Sequence, residues 1–591
     1  MISNKLLRVD LTEKTIETEI ISEDWLEKFI GGKGLGAALL HHENPPKVDP
    51  LSPENNLIFA WGPFLGLAPG ASRYCVVTKS PLTGTFLDSY SGGHFPTYLR
   101  FNLPEYRAIV FTGKSKDPLV LEIEKGKPRL LDGDAYTRKT TREMANQKDD
   151  FLEASIGPAG ENLVKFATVS SDGGTHHAGR GGAGAVMGAK NLKSVFVKKV
   201  DKPEALPELP ELRKDQLNYL STSDNTKWAR EEGTIGTLNP MNEAGALPTR
   251  NWSQGTFDQA ENINDKAVKE VTANRESCYL CPIACGYNLK FTPETGDEWE
   301  TNKGPEYETT VMNGSLPEIG DLEDISWIGN LCDSLGLDTI SMGNAISWAM
   351  ECSEKGLIDY QIDFGDGEKA ANLVDKVACR DGIGDLLAEG TKHAGEEIGG
   401  KAKEAAVEVK GLEFPSFEPR GSFSMALAYA TSDRGACHQR AFPIATDALS
   451  GDRDPYDTEG HAGAIIPDQN LRSLTYSLIT CDFTAYNLEQ VENWLRSLDY
   501  NYSKGELKRT GERIWNLTRL FNLREGFSRN DDKLPERMKK PLKGEGPAEG
   551  NYISEEEFKE MLDQYYELRG WDESGRPTPD KLADLDLQDW A

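Results

Sequence analysis

Residues 278–286 read Cys278-Tyr-Leu-Cys281-Pro-Ile-Ala-Cys285-Gly286 and are the most informative part of the sequence. Three thiolates within eight residues can converge on one metal centre, and the Pro and Gly let the backbone curl so that amide groups donate to the sulfurs. An iron–sulfur cluster and a structural zinc site both need a fourth ligand, so the spacing leaves the two open. That ligand must come from elsewhere in the chain, and the candidates are Cys75, Cys332, Cys352, Cys379, Cys437 and Cys481.

The composition is that of an acidic globular protein. Its 591 residues include 96 acidic and 66 basic ones, for a formal net charge of −30, whereas nucleic-acid-binding proteins usually carry a basic surface. Nine cysteines argue against a disulfide framework and for a reducing compartment, so we expect a cytoplasmic protein. Residues 1–14 show no signal peptide, and the most apolar stretch, residues 57–71, is broken by prolines and glycine. We therefore expect neither nucleic-acid binding nor a membrane span.

The distribution of apolar residues divides the chain into a strand-rich first third and a helical remainder. Three prolines make residues 201–212 a predicted linker, and a second boundary is predicted near residues 400–410. The charged last fifty residues contain several prolines and are predicted to form a peripheral extension. Short runs with the pattern of strands are residues 7–11, 107–113, 118–124, 165–170 and 194–200.

Three further features have both a functional and an ordinary structural interpretation. Arg180 lies in Gly179-Arg180-Gly181-Gly182-Ala183-Gly184, where backbone and guanidinium can approach a phosphate together, although a tight turn also explains the glycines. Glu308 and His438 stand in polar motifs and are candidate acid–base residues, with structural roles as the alternative. The glycine-rich residues 31–36 lack the order of a dinucleotide-binding loop, which excludes a Rossmann site.

Together these motifs resemble those of the tungsten-containing aldehyde:ferredoxin oxidoreductase family, in the family's order and from Gly31 to about Phe521. The resemblance implies an α+β fold in which an N-terminal β-sandwich or saddle domain, residues 1–205, lies under the cofactor. Two mainly α-helical domains, residues 206–408 and 409–591, close over it. It also implies two cofactors: tungsten bound by two pyranopterin dithiolenes with Mg between their phosphates, and one [4Fe–4S] cluster.

The resemblance also assigns residues to these cofactors. The implied cluster ligands are Cys278, Cys281, Cys285 and Cys481, which favours iron–sulfur over zinc. Arg73 matches an arginine that links pterin and cluster, and Glu308 and His438 match the two active-site residues near the metal. The other implied contacts of the pterins and phosphates are Ser91, Gly92, Gly93, Arg180, Gly181, Gly182, Ala183, Asp333, Gly336, Leu337, Asp338, Thr339 and Arg440.

The second pterin motif departs from the family pattern. It is expected as DxxGLC but reads Tyr476-Ser-Leu-Ile479-Thr480-Cys481, so that both the Asp and the Gly are missing. The second pterin must therefore be held differently, by backbone or by Asp482. We take Thr480 and Asp482 as its candidate contacts.

Three other positions also differ. Tyr90 stands where the family often has Asn, and Phe417 where several relatives place a Tyr near the substrate, so one hydroxyl donor is missing. Residues 327–330 replace the ligands of an iron that bridges two subunits in the type enzyme, and we predict no such iron. A homodimer and a hetero-oligomer both remain open.

The activity implied by the resemblance is oxidation of an aldehyde to the carboxylic acid. Glu308 would act as general base and His438 would polarise the carbonyl or relay protons. Electrons would leave through Arg73 and the cluster to ferredoxin or an iron–sulfur partner subunit. The alternatives are the catalytic subunit of an aroyl-coenzyme A reductase, a non-catalytic electron-transfer or scaffold subunit, and a zinc-stabilised protein.

Overall fold

The computed structural model describes residues 4–293 and 296–591. Residues 1–3, part of the segment 1–14 in which no signal peptide was expected, lie outside the described residues. The first third folds mainly into two six-stranded sheets. The strands of the first sheet are β1 (Lys5–Asp10), β2 (Thr15–Ile20), β3 (Leu57–Ala60), β4 (Tyr74–Lys79), β5 (Phe86–Ser91) and β6 (Tyr106–Thr112). Those of the second are β7 (Leu119–Glu124), β8 (Lys127–Asp132), β9 (Phe151–Ser155), β10 (Val169–Ser171), β11 (His176–Ala178) and β12 (Leu192–Lys198).

Both sheets are mixed. Their strand orders are β2-β1-β6-β3-β4-β5 and β11-β10-β9-β12-β7-β8, with one parallel pair in each, β1 with β6 and β12 with β7. Apolar residues from both sheets, such as Val9, Val76, Leu121 and Val195, belong to one buried cluster. The expected N-terminal β domain is therefore confirmed.

Helices cover the faces and ends of these sheets. They are α1 (Glu23–Phe29), α2 (Gly32–Glu43), α3 (Phe95–Asn102), α4 (Thr141–Met144), α5 (Pro158–Glu161) and α6 (Ala183–Ala189). The glycine-rich residues 31–36 form the start of α2. The Gly34 amide donates to Ser477 Oγ at 3.0 Å, and a Cβ on Gly32 would lie 2.4 Å from the Tyr476 carbonyl oxygen. These glycines therefore allow the C-terminal part of the chain to approach closely.

The rest of the chain is mainly helical, as predicted. Its helices are α7 (Pro210–Thr222), α8 (Lys227–Glu231), α9 (Leu238–Glu243), α10 (Asp265–Val271), α11 (Tyr307–Asn313), α12 (Leu322–Leu335), α13 (Thr339–Glu354), α14 (Gly367–Cys379), α15 (Ile383–Leu387), α16 (Thr391–Ile398), α17 (Gly400–Ala405), α18 (Phe423–Thr431), α19 (His461–Leu478), α20 (Leu488–Arg496), α21 (Lys504–Glu525), α22 (Glu555–Arg569) and α23 (Pro579–Asp584). Short strands accompany them: β13 (Thr272–Glu276), β14 (Gly286–Phe291), β15 (Trp299–Glu300), β16 (Glu408–Val409) and β17 (Leu412–Glu413).

Two sequence-based expectations about the elements need correction. The strand predicted at 165–170 begins only at Val169, because the preceding residues bond instead to the helical part: the Asp338 amide donates to Phe166 O at 3.1 Å and the Thr168 amide to Gly336 O at 2.9 Å. The linker predicted over residues 201–212 is shorter than expected, because helix α7 already begins at Pro210. Proline is favourable in the first turn of a helix.

The last fifty residues are not peripheral. Tyr565 of α22 and Trp571 are buried in the main helical core, and Arg569 is fully buried. Arg569 Nη2 donates to Gln469 Oε1 of α19 at 2.5 Å, which joins the C-terminal segment to the helix that leads to Cys481. The division near residue 405 stays a prediction, and one hydrophobic cluster extends across it. None of the described helices combines the length and the apolar character that crossing a membrane requires.

Candidate cofactor and cluster site

The structure brings Cys481 beside the three clustered cysteines. Cys278, Cys281 and Cys285 lie in the loop between β13 and β14, and Cys481 follows α19. Burial is the main cause of the raised pKa values of Cys281 and Cys285, and Cys278 and Cys481 raise them further, which places the four thiols in one electrostatic neighbourhood. No three His, Cys, Asp or Glu side chains within residues 4–293 and 296–591 are gathered in a way that would hold a single metal ion.

The surroundings of these sulfurs suit thiolates. The Gly93 amide donates to Cys278 Sγ at 3.3 Å, and Arg73 Nη2 donates to Cys481 Sγ at 3.0 Å. Burial raises the pKa of Cys281 to about 12 and outweighs the backbone amides of Ile283 and Ala284, which lower it. Burial likewise raises the pKa values of Cys285 and Cys481, so these three free thiols are protonated at neutral pH. A cluster would have to displace these protons, and the amide donors would then stabilise its sulfurs.

Arg73 connects the cysteines to a neighbouring cavity. Burial lowers its pKa, but Cys481, Asp482 and Cys278 raise it, and the net pKa lies above the ordinary arginine value. The guanidinium is therefore a fixed positive charge. Its side chain also lines the cavity, so one residue contacts both parts of the predicted site.

The cavity collects many of the predicted residues. Its volume is about 250 Å³, just below the range of roughly 300–1,000 Å³ that is typical of small-molecule sites. Of the predicted residues, its lining includes Arg73, Arg180, Glu308, Asp333, Leu337, Asp338, Thr339 and His438. It also includes Tyr90, His177, Lys303, Arg434 and Gln439, which the sequence analysis did not single out as ligand contacts.

Buried donors in and beside the cavity fit an anionic ligand. Arg434 Nε and Arg440 Nη1 are buried and have no hydrogen-bond partner among the described residues. Leaving such a donor unpaired costs about 1–3 kcal/mol, so a ligand with phosphate oxygens would recover this energy. The donor set therefore fits the phosphates of a pyranopterin.

Asp338 and its motif shape one wall of the cavity. Helix α12 ends at Gly336, whose φ of 80° is left-handed, and Asp338 then caps α13 by accepting from the amides of Ile340 and Ser341. Arg180 Nε lies 3.3 Å from the same carboxylate. Asp333 lies 3.0 Å from His177 Nε2. Gly336 thus lets the backbone turn sharply and presents the carboxylate at the cavity.

The divergent second motif keeps the backbone conformation of the first. Ile479 ends α19 with φ 68° and ψ 37°, the left-handed conformation that Gly336 adopts after α12. A β-branched residue adopts it at a cost of roughly 1–2 kcal/mol. The Tyr476 hydroxyl lies 2.9 Å from Asp482 Oδ2, and Thr480 Oγ1 donates to Thr475 O. Neither Thr480 nor Asp482 lines the cavity, so their cofactor role stays a prediction.

Other predicted contacts lie behind the cavity wall. Gly181 and Gly182 have left-handed φ values of 86° and 85° and lead into α6, which begins at Ala183. A Cβ on Gly182 would lie 2.0 Å from the Lys165 carbonyl oxygen. Gly92 and Gly93 lie toward Cys278, and Ser91 has its hydroxyl 2.7 Å from that of Ser171; none of the three lines the cavity. The glycines of these loops serve close packing here, and their contact with a cofactor stays a prediction.

Glu308 and His438 form a pair on the cavity wall. Glu308 Oε1 lies 3.3 Å from His438 Nδ1, and its Oε2 accepts from the Ser416 amide at 3.1 Å. Burial raises the pKa of Glu308 to about 7. Burial, and then the charge of Arg180, lowers the pKa of His438 well below its usual value. Near pH 7 the pair therefore holds a carboxyl that can gain or lose a proton beside a neutral imidazole.

Aromatic rings pack behind this pair. The Phe417 ring lies 5.6 Å from the His438 ring and 5.2 Å from that of Tyr307, centroid to centroid. Phe442 packs edge-on against Phe417 at 5.1 Å. This apolar wall explains why burial dominates the pKa of both members of the pair.

A buried ionic network was missed by the sequence analysis. Arg440 donates to Asp88 and Asp433, and Lys33 of α2 contacts the same two carboxylates. All four side chains are buried, and burial opposed by Arg440 and Lys33 leaves the pKa of Asp433 well below its usual value. The network connects the β domain to the C-terminal helices. Only the polar motif at residues 433–440 gave a sequence signal for it.

Comparisons with known proteins agree with this geometry. Residues 6–199 match the family model of the aldehyde ferredoxin oxidoreductase N-terminal domain, and residues 211–587 match that of its domains 2 and 3. Tungsten-containing aldehyde ferredoxin oxidoreductases of Pyrococcus abyssi and Pyrococcus furiosus are each 37% identical, over 99% of this chain and 99% of theirs. The WOR-like subunit of aliphatic sulfonate oxidoreductase from Pyrococcus furiosus is 30% identical over 99% of this chain and 97% of its own.

A solved structure shares the fold. The active site complex BamBC of benzoyl coenzyme A reductase, with bound 1,5-dienoyl-CoA, superposes with a TM-score of 0.82 at 24% identity and covers 100% of this chain and 97% of that one. At this identity the likeness extends to the fold alone. The family models and the full-length relatives show that the chain belongs to the aldehyde ferredoxin oxidoreductase family of tungsten-containing oxidoreductases.

Proposed function

We propose that the chain is a tungsten-dependent enzyme that oxidises an aldehyde to the carboxylic acid. The observation that carries this proposal is the Glu308–His438 pair, which lines the same cavity as Arg73, Arg180 and Asp338. Proton-transfer residues and ligand-anchoring residues thus share one space, as an oxidoreductase that also moves protons requires.

The cofactor would be held by the cavity residues. Arg73, Arg180 and Arg434 would bind its anionic groups, and Asp338 would accept from N–H groups of a pterin ring. Mg between the phosphates would neutralise part of their charge. A tungsten pterin supplies a two-electron acceptor when bound. The four cysteines would hold a [4Fe–4S] cluster on the other side of Arg73.

The chain's own residues would move the protons. Oxidation of an aldehyde by water releases two electrons and two protons. The ionised Glu308 carboxylate would take a proton from the attacking water, and a pKa of about 7 makes it both basic enough to accept the proton and able to release it. His438, which faces Glu308 through Nδ1, would donate a hydrogen bond from Nε2 to the carbonyl oxygen and so polarise it.

The electrons would pass by Arg73 and the cluster to ferredoxin or an iron–sulfur partner subunit. Some relatives are named as a subunit or as part of a complex, which supports a partner subunit as one possibility. We also propose, from the replaced residues 327–330, that no iron bridges two copies of the chain.

The second candidate is reduction of an aromatic ring in a coenzyme A thioester. The shared fold with the benzoyl coenzyme A reductase complex favours it. So does Phe417, which lacks the hydroxyl of the Tyr that the family resemblance places near the substrate in several relatives. A panel of aliphatic and aromatic aldehydes with a viologen dye separates the two. Aldehyde-dependent dye reduction supports the first proposal. Inactivity with every aldehyde, together with oxidation of a cyclic dienoyl-coenzyme A, supports the second.

A further inference from the structure

His176 of β11 contacts the predicted cluster ligand Cys278. Its Nε2 lies 3.6 Å from Cys278 Sγ, within hydrogen-bond distance for sulfur. The side chain is mostly buried, with 19% of its surface exposed.

The glycines at residues 92 and 93 make this contact possible. A Cβ on Gly92 would lie 3.2 Å from both Cys278 Sγ and the His176 ring, and one on Gly93 would lie 2.9 Å from His176 Nδ1. The Gly93 amide also donates to the same sulfur at 3.3 Å. A side chain at residue 92 or 93 would therefore push the His176 ring away from Cys278 Sγ, and the two glycines leave room for their contact.

The state of the sulfur decides which ring nitrogen carries the proton. Thr175 Oγ1 lies 3.0 Å from His176 Nδ1 and 3.0 Å from the Asp172 carbonyl oxygen, so its single proton can go to either. A sulfur bound to iron has no proton of its own, and a hydrogen bond with it then needs the proton on Nε2. In that tautomer the Thr175 hydroxyl donates to Nδ1 instead of to the Asp172 carbonyl oxygen, and the Asp172 carboxylate, 3.9 Å from Nδ1, lies beyond hydrogen-bond distance.

We propose that His176 donates a hydrogen bond from Nε2 to the sulfur of Cys278 and thereby raises the reduction potential of the cluster, an inference that rests on the cluster in the proposed function. A reduced cluster carries more negative charge on its sulfurs than an oxidised one. Hydrogen bonds to sulfur therefore stabilise the reduced state more. His176 is a positioning residue in this scheme, since it acts through Cys278.

The test is a redox titration of the anaerobically purified holoenzyme, followed by the electron paramagnetic resonance signal of the reduced cluster. His176→Leu should lower the ratio of reduced to oxidised cluster about tenfold at a fixed potential, which is a shift of about 59 mV for one electron. His176→Gln keeps an N–H donor and should restore most of the shift. His393→Leu, on the exposed side of α16, is the matched control and should leave the midpoint unchanged.

Thr175→Val is the second variant, because it leaves the imidazole in place but removes the donor to Nδ1. It should lower the midpoint potential of the cluster, as His176→Leu does. If His176→Leu loses its cluster, Thr175→Val and His176→Gln together test whether His176 raises the potential. An unchanged midpoint in variants that keep the cluster overturns the role of His176 alone. Absence of iron and of the signal from the unmodified protein overturns the proposed cluster, and this inference with it.

Discussion

The pH dependence of turnover follows from the buried position of Glu308. Burial raises the pKa of this carboxyl from 4.5 to about 7, which corresponds to roughly 3 kcal/mol between its two protonation states. A base with this pKa is about 9% ionised at pH 6 and about 91% ionised at pH 8. The turnover number should therefore rise about tenfold over this interval, whereas a carboxylate of ordinary pKa would be ionised throughout and give a flat profile.

The assay is aldehyde-dependent viologen reduction at saturating aldehyde, with tungsten content measured on each sample. Glu308→Gln removes the base but keeps the shape of the side chain, so it should lower turnover at least about 100-fold at every pH while tungsten stays bound. Glu261→Gln, at an exposed position, should keep both the rate and the profile. A flat profile between pH 6 and pH 8, or a Glu308→Gln variant with near-normal turnover, would refute the assignment.

Other consequences can be measured on single variants. Cys481→Ser should remove most of the iron and the cluster absorbance, whereas Cys379→Ser, at an exposed position, should keep both; iron retained in Cys481→Ser would exclude it as a ligand. Arg73→Leu should slow the aldehyde-dependent bleaching of the cluster absorbance per tungsten bound, and an unchanged rate would remove Arg73 from the electron route. Lys33→Met leaves two buried carboxylates short of a partner and should lower the free energy of unfolding by about 3–5 kcal/mol in chemical denaturation, while exposed Lys401→Met should have little effect. Metal analysis should find no stoichiometric mononuclear iron beyond the cluster.

Local patterns predicted the fold class well. Short β-branched runs mark β6, β7 and β12 closely, because these three strands are buried on both faces and need continuous apolar side chains. The pattern failed at residues 165–168, whose backbone bonds to residues 336 and 338 of the helical part. It also failed at the C-terminus, where a charged segment buries Tyr565 and Trp571. Both failures involve partners that lie far away in the sequence.

The site was predictable where a motif concentrates it. The three cysteines, Arg180 and Asp338 stand in short, distinctive segments, and the structure brings them to one region. Lys33 and Asp88 gave no signal, because each is an ordinary charged residue whose burial depends on a partner about 400 or 350 positions away. The left-handed backbone at Ile479 was also unforeseen, since a β-branched residue rarely adopts it.

The central claim is that four thiols hold iron beside a tungsten centre, with Arg73 between them. Elemental analysis of anaerobically purified protein tests it most directly. The account predicts one tungsten and four iron atoms per chain. Stoichiometric zinc with neither iron nor tungsten would contradict it. Iron without tungsten would also contradict it and would favour an electron-transfer or scaffold protein.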